Sequence, residues 1–230
     1  MKTKEASFAF EKGDEVAYAQ FKVDAQSAKV TRELNGDGVS VVQQSQYYIV
    51  TGKDFHFRVD LETGLLESYY YKDALLIKEG PAPNIARAKL DNDSLKYVDI
   101  MPYLTLDGEP VVGKNSAGCY MIMVRWNSSY NLNNKNNNAP GTAVMKYLIE
   151  GDGAVTVHME LDFTQTKVKQ FMKVGTTLSV VKGSEQITWY GNGDGESYND
   201  RQSYTRKGVY TSTVNDMYYP FAMPQDCGKG

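Results

Sequence analysis

Apolar and polar residues alternate one for one between Ala154 and Phe163, with Val155, Val157, Met159, Leu161 and Phe163 set against Thr156, His158, Glu160 and Asp162. A period of two belongs to an extended strand, whose successive side chains leave opposite faces. One face of this stretch is therefore read as turned to a core and the other to water. Gly151-Asp152-Gly153 just upstream take positive φ readily, which makes Tyr147–Ile149 and Val155–Phe163 a hairpin.

The pattern returns at Asp54–Asp60, with Phe55, Phe57 and Val59 inward and His56 and Arg58 outward, and Glu62-Thr63-Gly64 then turns the chain into Leu65–Tyr71. Further strands are predicted at Ala117–Trp126, Val144–Ile149, Thr176–Val181, Gln186–Tyr190 and Gly208–Thr213, and only Ala25–Leu34 reads as a short helix. Seventeen tyrosines suit a pleated, half-buried surface, since tyrosine joins an apolar body to a polar tip. Helix–strand alternation is absent, so the crossovers of a parallel sheet have nothing to be built from. The expected class is all-β, and 230 residues favour a large antiparallel sandwich.

Composition narrows the partners. Hydrophobic residues at 41% and charged residues at 23% are those of a globular chain. A net charge of -3 with no long basic block excludes nucleic acid, and no apolar run approaches the roughly 18 residues of a membrane span. Met1-Lys2-Thr3-Lys4-Glu5 is polar where a signal peptide would become apolar, so the expectation is a soluble chain with its compartment left open. Two cysteines are too few for a disulfide scaffold or a cysteine zinc site, and Cys119, in an apolar run, is read as a buried free thiol.

Chemistry-bearing clusters are few. Twenty-eight acids do not single out the facing carboxyl pair that glycoside hydrolysis requires. The densest acidic stretches are Asp91-Asn92-Asp93 and Gly191–Arg201; the second faintly resembles a calcium loop but lacks its twelfth-position acid, and a loop held by side-chain-to-backbone hydrogen bonds is preferred. His56 and His158 fall on polar strand faces in no motif that places a second ligand or a base, and are read as solvated. Trp126 and Trp189 have the ring for stacking on a sugar but are read as filling core. Asn127–Asn138, with seven asparagines in twelve positions, is read as a loop; Asn127-Ser128-Ser129 and Asn92-Asp93-Ser94 match the glycosylation triplet, a pattern common by chance. No nucleophile elbow, H-E-x-x-H or Walker loop occurs. No catalytic residue and no metal ligand is assigned.

Four segments, in order, carry a resemblance. Gly13-Asp14-Glu15-Val16-Ala17-Tyr18-Ala19-Gln20-Phe21 is similar to G-H-E-V-A-x-x-Q-F, and the run from Gly80-Pro81-Ala82-Pro83-Asn84 through Arg87-Ala88 to Asp91-Asn92-Asp93 resembles G-P-x-P-N-x-x-R-A-P-x-D-N-D. Trp189–Arg201 resembles W-x-G-x-G-P-x-E-N-Y-x-D-R, and the stretch ending Pro224-Gln225-Asp226-Cys227-Gly228 resembles a run ending P-Q-E-x-G. Together the four segments resemble the C-terminal region of β-galactosidases of glycoside hydrolase family two. Lys89 and Asp194 depart from the pattern by replacing proline, Ile85-Ala86 by replacing an aromatic pair, and Asp226 by replacing glutamate.

The resemblance implies a supersandwich like that of the galactose mutarotases over residues 47–230, incomplete at its C-terminus. It also implies that residues 1–24 are the tail of an immunoglobulin-like domain and that 25–46 are a linker. The parent would be a retaining β-galactosidase whose catalytic glutamates lie on a barrel of about 250 residues, which this chain does not contain. By this reading the chain is a non-catalytic β-sandwich portion packed against the parent's barrel and its β-galactoside substrate, in a homo-oligomer formed through the parent. No cofactor is expected in this chain, and Mg or Na ions are expected in the parent. Arg87, Asp91, Asn92 and Asp93 are the candidates for the substrate rim, and Glu196, Tyr198, Asp200 and Arg201 for a structural loop. Two alternatives stand beside it: a carbohydrate-binding module that stacks aromatic rings on sugar, and an aldose 1-epimerase-like enzyme.

Overall fold

In a computed structural model the structure describes residues 1–23, 33–85, 87–88, 104–128, 141–165, 171, 173–193, 195–198, 203 and 205–223. These fall into two compact units, one within Met1–Thr31, Glu185–Tyr219 and Cys227–Gly230, the other within Arg32–Ser184 and Pro220–Asp226.

The larger unit is built of two antiparallel sheets. The first, of six strands, has the order β1 (Ser40–Gln44), β2 (Tyr47–Thr51), β3 (Phe55–Asp60), β4 (Leu66–Tyr71), β5 (Ala74–Asn84) and β11 (Gly175–Val180). The second runs β10 (Val155–Asp162), β9 (Gly141–Ile149), β8 (Tyr120–Ser128), β6 (Leu104–Leu106), and β7 (Val111–Lys114) also pairs with β8. The turns follow from local chemistry. Lys72 and Asp73, at φ 46° and 62°, form the two-residue connection between β4 and β5, with Tyr71 opposite Ala74. At the predicted 62–64 turn, Asp60 Oδ1 accepts from the N–H groups of Glu62 (2.7 Å) and Thr63 (2.9 Å), which satisfies a carboxylate only 6% exposed. Gly64 closes this turn at φ +75°, and a Cβ there would lie 2.2 Å from Val124 Cγ1, so glycine is required both by the backbone and by the core beneath it.

The inner faces of the two sheets form one apolar cluster. Val50, Phe55, Phe57, Val59 and Leu66 come from the first sheet, and Ile122, Val124, Trp126, Ala143, Met145, Tyr147 and Ile149 from the second. Along β9 burial alternates without exception, and the inward set of β3 is the one the sequence predicts. Polar tips of aromatic residues tie one layer to the other. Tyr147 Oη donates to Pro81 O (3.1 Å), Trp126 Nε1 to Thr63 O (3.2 Å) and Tyr48 Oη to Pro110 O (3.0 Å). Each ring buries its apolar area while its donor still finds an acceptor. This is an all-β sandwich, as the alternation predicts.

Three readings change in extent. Ser40–Gln44, in the stretch read as linker, pairs in register with Tyr47–Thr51 as β1. Asn127 and Ser128, read as loop, complete β8 opposite Thr142 and Gly141. Val157 shares the inward register of β10 but is 37% exposed, because β10 is the last strand of its sheet. The helix read over Ala25–Leu34 lies outside the described residues except for Glu33 and Leu34, which are not helical. Cys119 is a fully buried free thiol, and Cys227 lies outside the described residues.

In the smaller unit β12 (Gln186–Asn192) pairs with β13 (Lys207–Thr213), and Thr213 caps the short helix α1 (Val214–Met217), its Oγ1 accepting from Asp216 N at 3.2 Å. Residues 1–23 double back on themselves, with Thr3 N donating to Asp14 O (2.8 Å), Val16 N donating to Met1 O (3.1 Å) and a β-bridge between Lys2 and Glu15.

Candidate functional site

Strand β5 leads to the predicted rim. Beyond Glu79 it has left β4 and pairs only with β11, so one of its edges needs no N–H donors, and Pro81 and Pro83 are accommodated there. Gly80 lies at φ +103°, and a Cβ on it would meet Thr177 O and Leu178 Cα at 2.8 Å, so the glycine lets β11 approach. Ile85, 1% exposed, anchors the end of the strand. Arg87 follows, half-buried, with Nη1 donating to Ala88 O at 2.9 Å. Asp91, Asn92 and Asp93 lie outside the described residues.

The predicted structural loop begins where β12 ends. Trp189 stacks on Tyr210 with ring centroids 5.6 Å apart and 28° between planes, and its Nε1 donates to Asn192 O at 2.9 Å. The motif glycine Gly193 is buried against this pair, because a Cβ there would sit 2.7 Å from the Tyr210 ring. Glu196 and Tyr198 follow, both half-buried and both engaged in interactions. Asp200 and Arg201 lie outside the described residues.

A polar groove that the sequence did not single out lies in the larger unit. It is a cavity of about 450 Å³ lined by Glu33, Asn35, Asp37, Lys53, Asp54, Glu150, Gly151 and Asp152. The turn after β9 forms one wall: Gly151 N donates to Asn35 O at 2.8 Å, and a Cβ on Gly151 would lie 2.4 Å from Asp37 O. Glu150, 3% exposed, is engaged in interactions at the end of β9. Beside it a smaller cavity of about 290 Å³ is lined in part by Lys53, Asp54, His56 and Lys72. Such walls offer acceptors and ammonium donors to a polar solute. Among the described residues no group of three His, Cys, Asp or Glu is placed to hold a metal ion.

His56 stacks on Tyr70 at 4.6 Å, and His158 meets Glu160 Oε1 at 3.1 Å on an exposed strand face. Lys146 shares that Glu160 oxygen at 2.8 Å, and this hydrogen bond, with the Lys146 charge, holds the carboxyl below its ordinary range. Trp126, 6% exposed, is core.

Residues 51–229 match the family model described as the β-galactosidase small chain. The chain belongs to the β-galactosidase small-chain family. Among curated relatives, the β-galactosidase of Priestia megaterium is 25% identical over 94% of this chain and 21% of its own length. That of Pseudoalteromonas haloplanktis is 23% identical over 83% of this chain and 19% of its own, and that of Vibrio cholerae 25% identical over 73% and 17%. The chain thus spans about a fifth of the length of these relatives. No helix among the described residues is long and apolar enough to cross a membrane.

Proposed function

We propose that this small-chain sandwich is the non-catalytic wall of a retaining β-galactosidase, packing against a catalytic barrel and shaping the rim of its active site. The reading rests on the match to the small chain over residues 51–229. The space between the two sheets is filled by one apolar cluster, which gives the wall a rigid interior. On this account Arg87 and the Asp91-Asn92-Asp93 run after it order the rim by charge-assisted hydrogen bonds, while Glu196, Tyr198, Asp200 and Arg201 hold a structural loop. The sandwich is taken to be of the galactose-mutarotase type over residues 47–230, with the preceding strand β1 added to its first sheet. Residues 1–24 are taken as an immunoglobulin-like tail. Any Mg or Na ion, the β-galactoside and the subunit contacts belong to the parent enzyme.

Complementation tests this. The chain, mixed with a barrel-bearing β-galactosidase polypeptide that lacks its own small-chain portion, is expected to raise turnover of a chromogenic galactoside with saturable dependence on chain concentration. No rise at any concentration, with the barrel polypeptide shown to be folded, contradicts the proposal. A second reading, sugar binding by the chain itself, is favoured by Tyr190, whose side chain on the outer face of β12 is 77% exposed. Titration with galactose and lactose decides it, and loss of binding in Tyr190→Ala is the result it requires.

A further inference from the structure

One polar contact in the smaller unit joins two segments nearly the whole chain apart. Arg206 reaches the Glu15 carboxylate with both terminal nitrogens, Nη1 at 3.2 Å from Oε2 and Nη2 on Oε1. The same guanidinium lies over the Tyr18 ring, 3.8 Å from its centroid. Tyr18 Oη donates to Ser203 O at 2.9 Å. Gln20 then copies a strand neighbour: its Nε2 donates to Lys207 O and its Oε1 accepts from Lys207 N, both at 2.8 Å. The three anchors Glu15, Tyr18 and Gln20 all fall within the Gly13–Phe21 motif.

What they hold continues inward. The Arg206 carbonyl accepts from Tyr210 Oη at 2.8 Å, and Tyr210 is the ring on which Trp189 stacks. Trp189 in turn donates to Asn192 O, and Gly193 and Gly208 lie against the Tyr210 ring with no room for a Cβ at ordinary contact distance. A two-stranded sheet is marginal in water by itself, so β12 and β13 need stabilisation from beyond their own ladder.

We propose that Glu15–Gln20 is a strap that fixes the main chain at 206–207 and thereby the Trp189–Tyr210 stack and the loop entry at Gly191–Gly193. This goes beyond the wall function, because it gives the N-terminal motif a task in positioning the loop that carries Glu196 and Tyr198. Exposed ion pairs alone contribute little. The strap differs from one in combining a two-pronged carboxylate contact, a ring face and a pair of main-chain bonds on Lys207.

Hydrogen exchange of the full chain, resolved by peptide, tests the strap. Arg206→Met is expected to speed exchange across 187–193 and at Lys207 by about tenfold or more. Gln20→Ala is expected to do so chiefly at Lys207, and Glu15→Arg combined with Arg206→Glu to restore protection. Arg58→Met, which breaks the 2.9 Å pair with Glu67 in the other unit, is the control and should leave 187–193 unchanged. Tyr18→Phe removes only the hydroxyl bond and is expected to give a smaller increase in the same peptides, which keeps the test open if Arg206→Met does not fold. Exchange at 187–193 within twofold of wild type in Arg206→Met, or in Tyr18→Phe should Arg206→Met fail to fold, overturns the proposal. So does a charge reversal that restores nothing.

Discussion

Replacing Tyr147 by phenylalanine isolates one of the bonds that tie the two sheets together. Tyr147 is fully buried in β9, and its hydroxyl donates to Pro81 O at 3.1 Å. Phenylalanine keeps the ring and its packing and removes the hydroxyl, which leaves the buried Pro81 carbonyl and the Leu66 main chain without that partner. The cost of such a loss is about 1–3 kcal/mol, which for a unit of this size lowers the melting temperature by about 2–12 °C. Tyr147→Ala, which also removes the ring, should cost about 3–5 kcal/mol. Urea titration at neutral pH measures both.

A second leg of the same experiment uses alkali. Burial pushes the Tyr147 hydroxyl well above the ordinary tyrosine value of 10.0. Above about pH 10 the unfolded chain therefore loses a proton that the folded one keeps, and stability falls as pH rises, by up to about 1.4 kcal/mol per pH unit. Tyr69, raised by burial and further by Tyr71 and Asp152, has the same sign, so the Tyr147→Phe variant should fall less steeply than wild type without becoming flat. A variant within about 0.3 kcal/mol of wild type at neutral pH, with an identical alkaline slope, would refute the reasoning that aromatic polar tips hold the layers together.

Gly64→Ala forces a Cβ into the left-handed region and onto Val124, and is expected to cost about 2–4 kcal/mol in urea titration, whereas Gly38→Ala, at φ +76° with open space around it, should cost only about 1. Gly193→Ala pushes on the Tyr210 ring and is expected to weaken the near-ultraviolet circular dichroism of the Trp189–Tyr210 pair while the larger unit keeps its stability. In a Cys227→Ser background, Cys119 is expected to react with a thiol reagent only at the rate at which its unit opens, since it is fully buried; fast labelling under native conditions would contradict its place in the core.

The sandwich was legible where strands carry alternating faces, as in β3, β9 and β10, because one buried side is enough to impose the period. It was not legible in β1, whose Ser-Val-Val-Gln-Gln lies at a sheet edge with little burial, or in the three residues of β6. The strand β5 was hidden by Gly80, Pro81 and Pro83, residues that ordinarily end strands and are tolerated here only because half of β5 has a single neighbour. For the site, the motif around Trp189 was readable as a loop, but the reason for its glycines, the ring of Tyr210 lying on them, needed the cross-strand register. The acidic groove draws on residues 33–37, 53–54 and 150–152, stretches separate in sequence that only the turn after β9 brings together. The arginine that meets Glu15 could not be inferred from either segment, since its partner lies 191 residues away.

The proposed role is that this polypeptide borders a reaction centre which another part of a β-galactosidase supplies. Galactoside turnover by the purified chain alone measures it most directly. Release of chromophore indistinguishable from buffer, by protein whose circular dichroism shows a folded β structure, is the predicted result. Saturable turnover that survives removal of contaminating enzyme and disappears when one carboxylate of this chain is made an amide would contradict it.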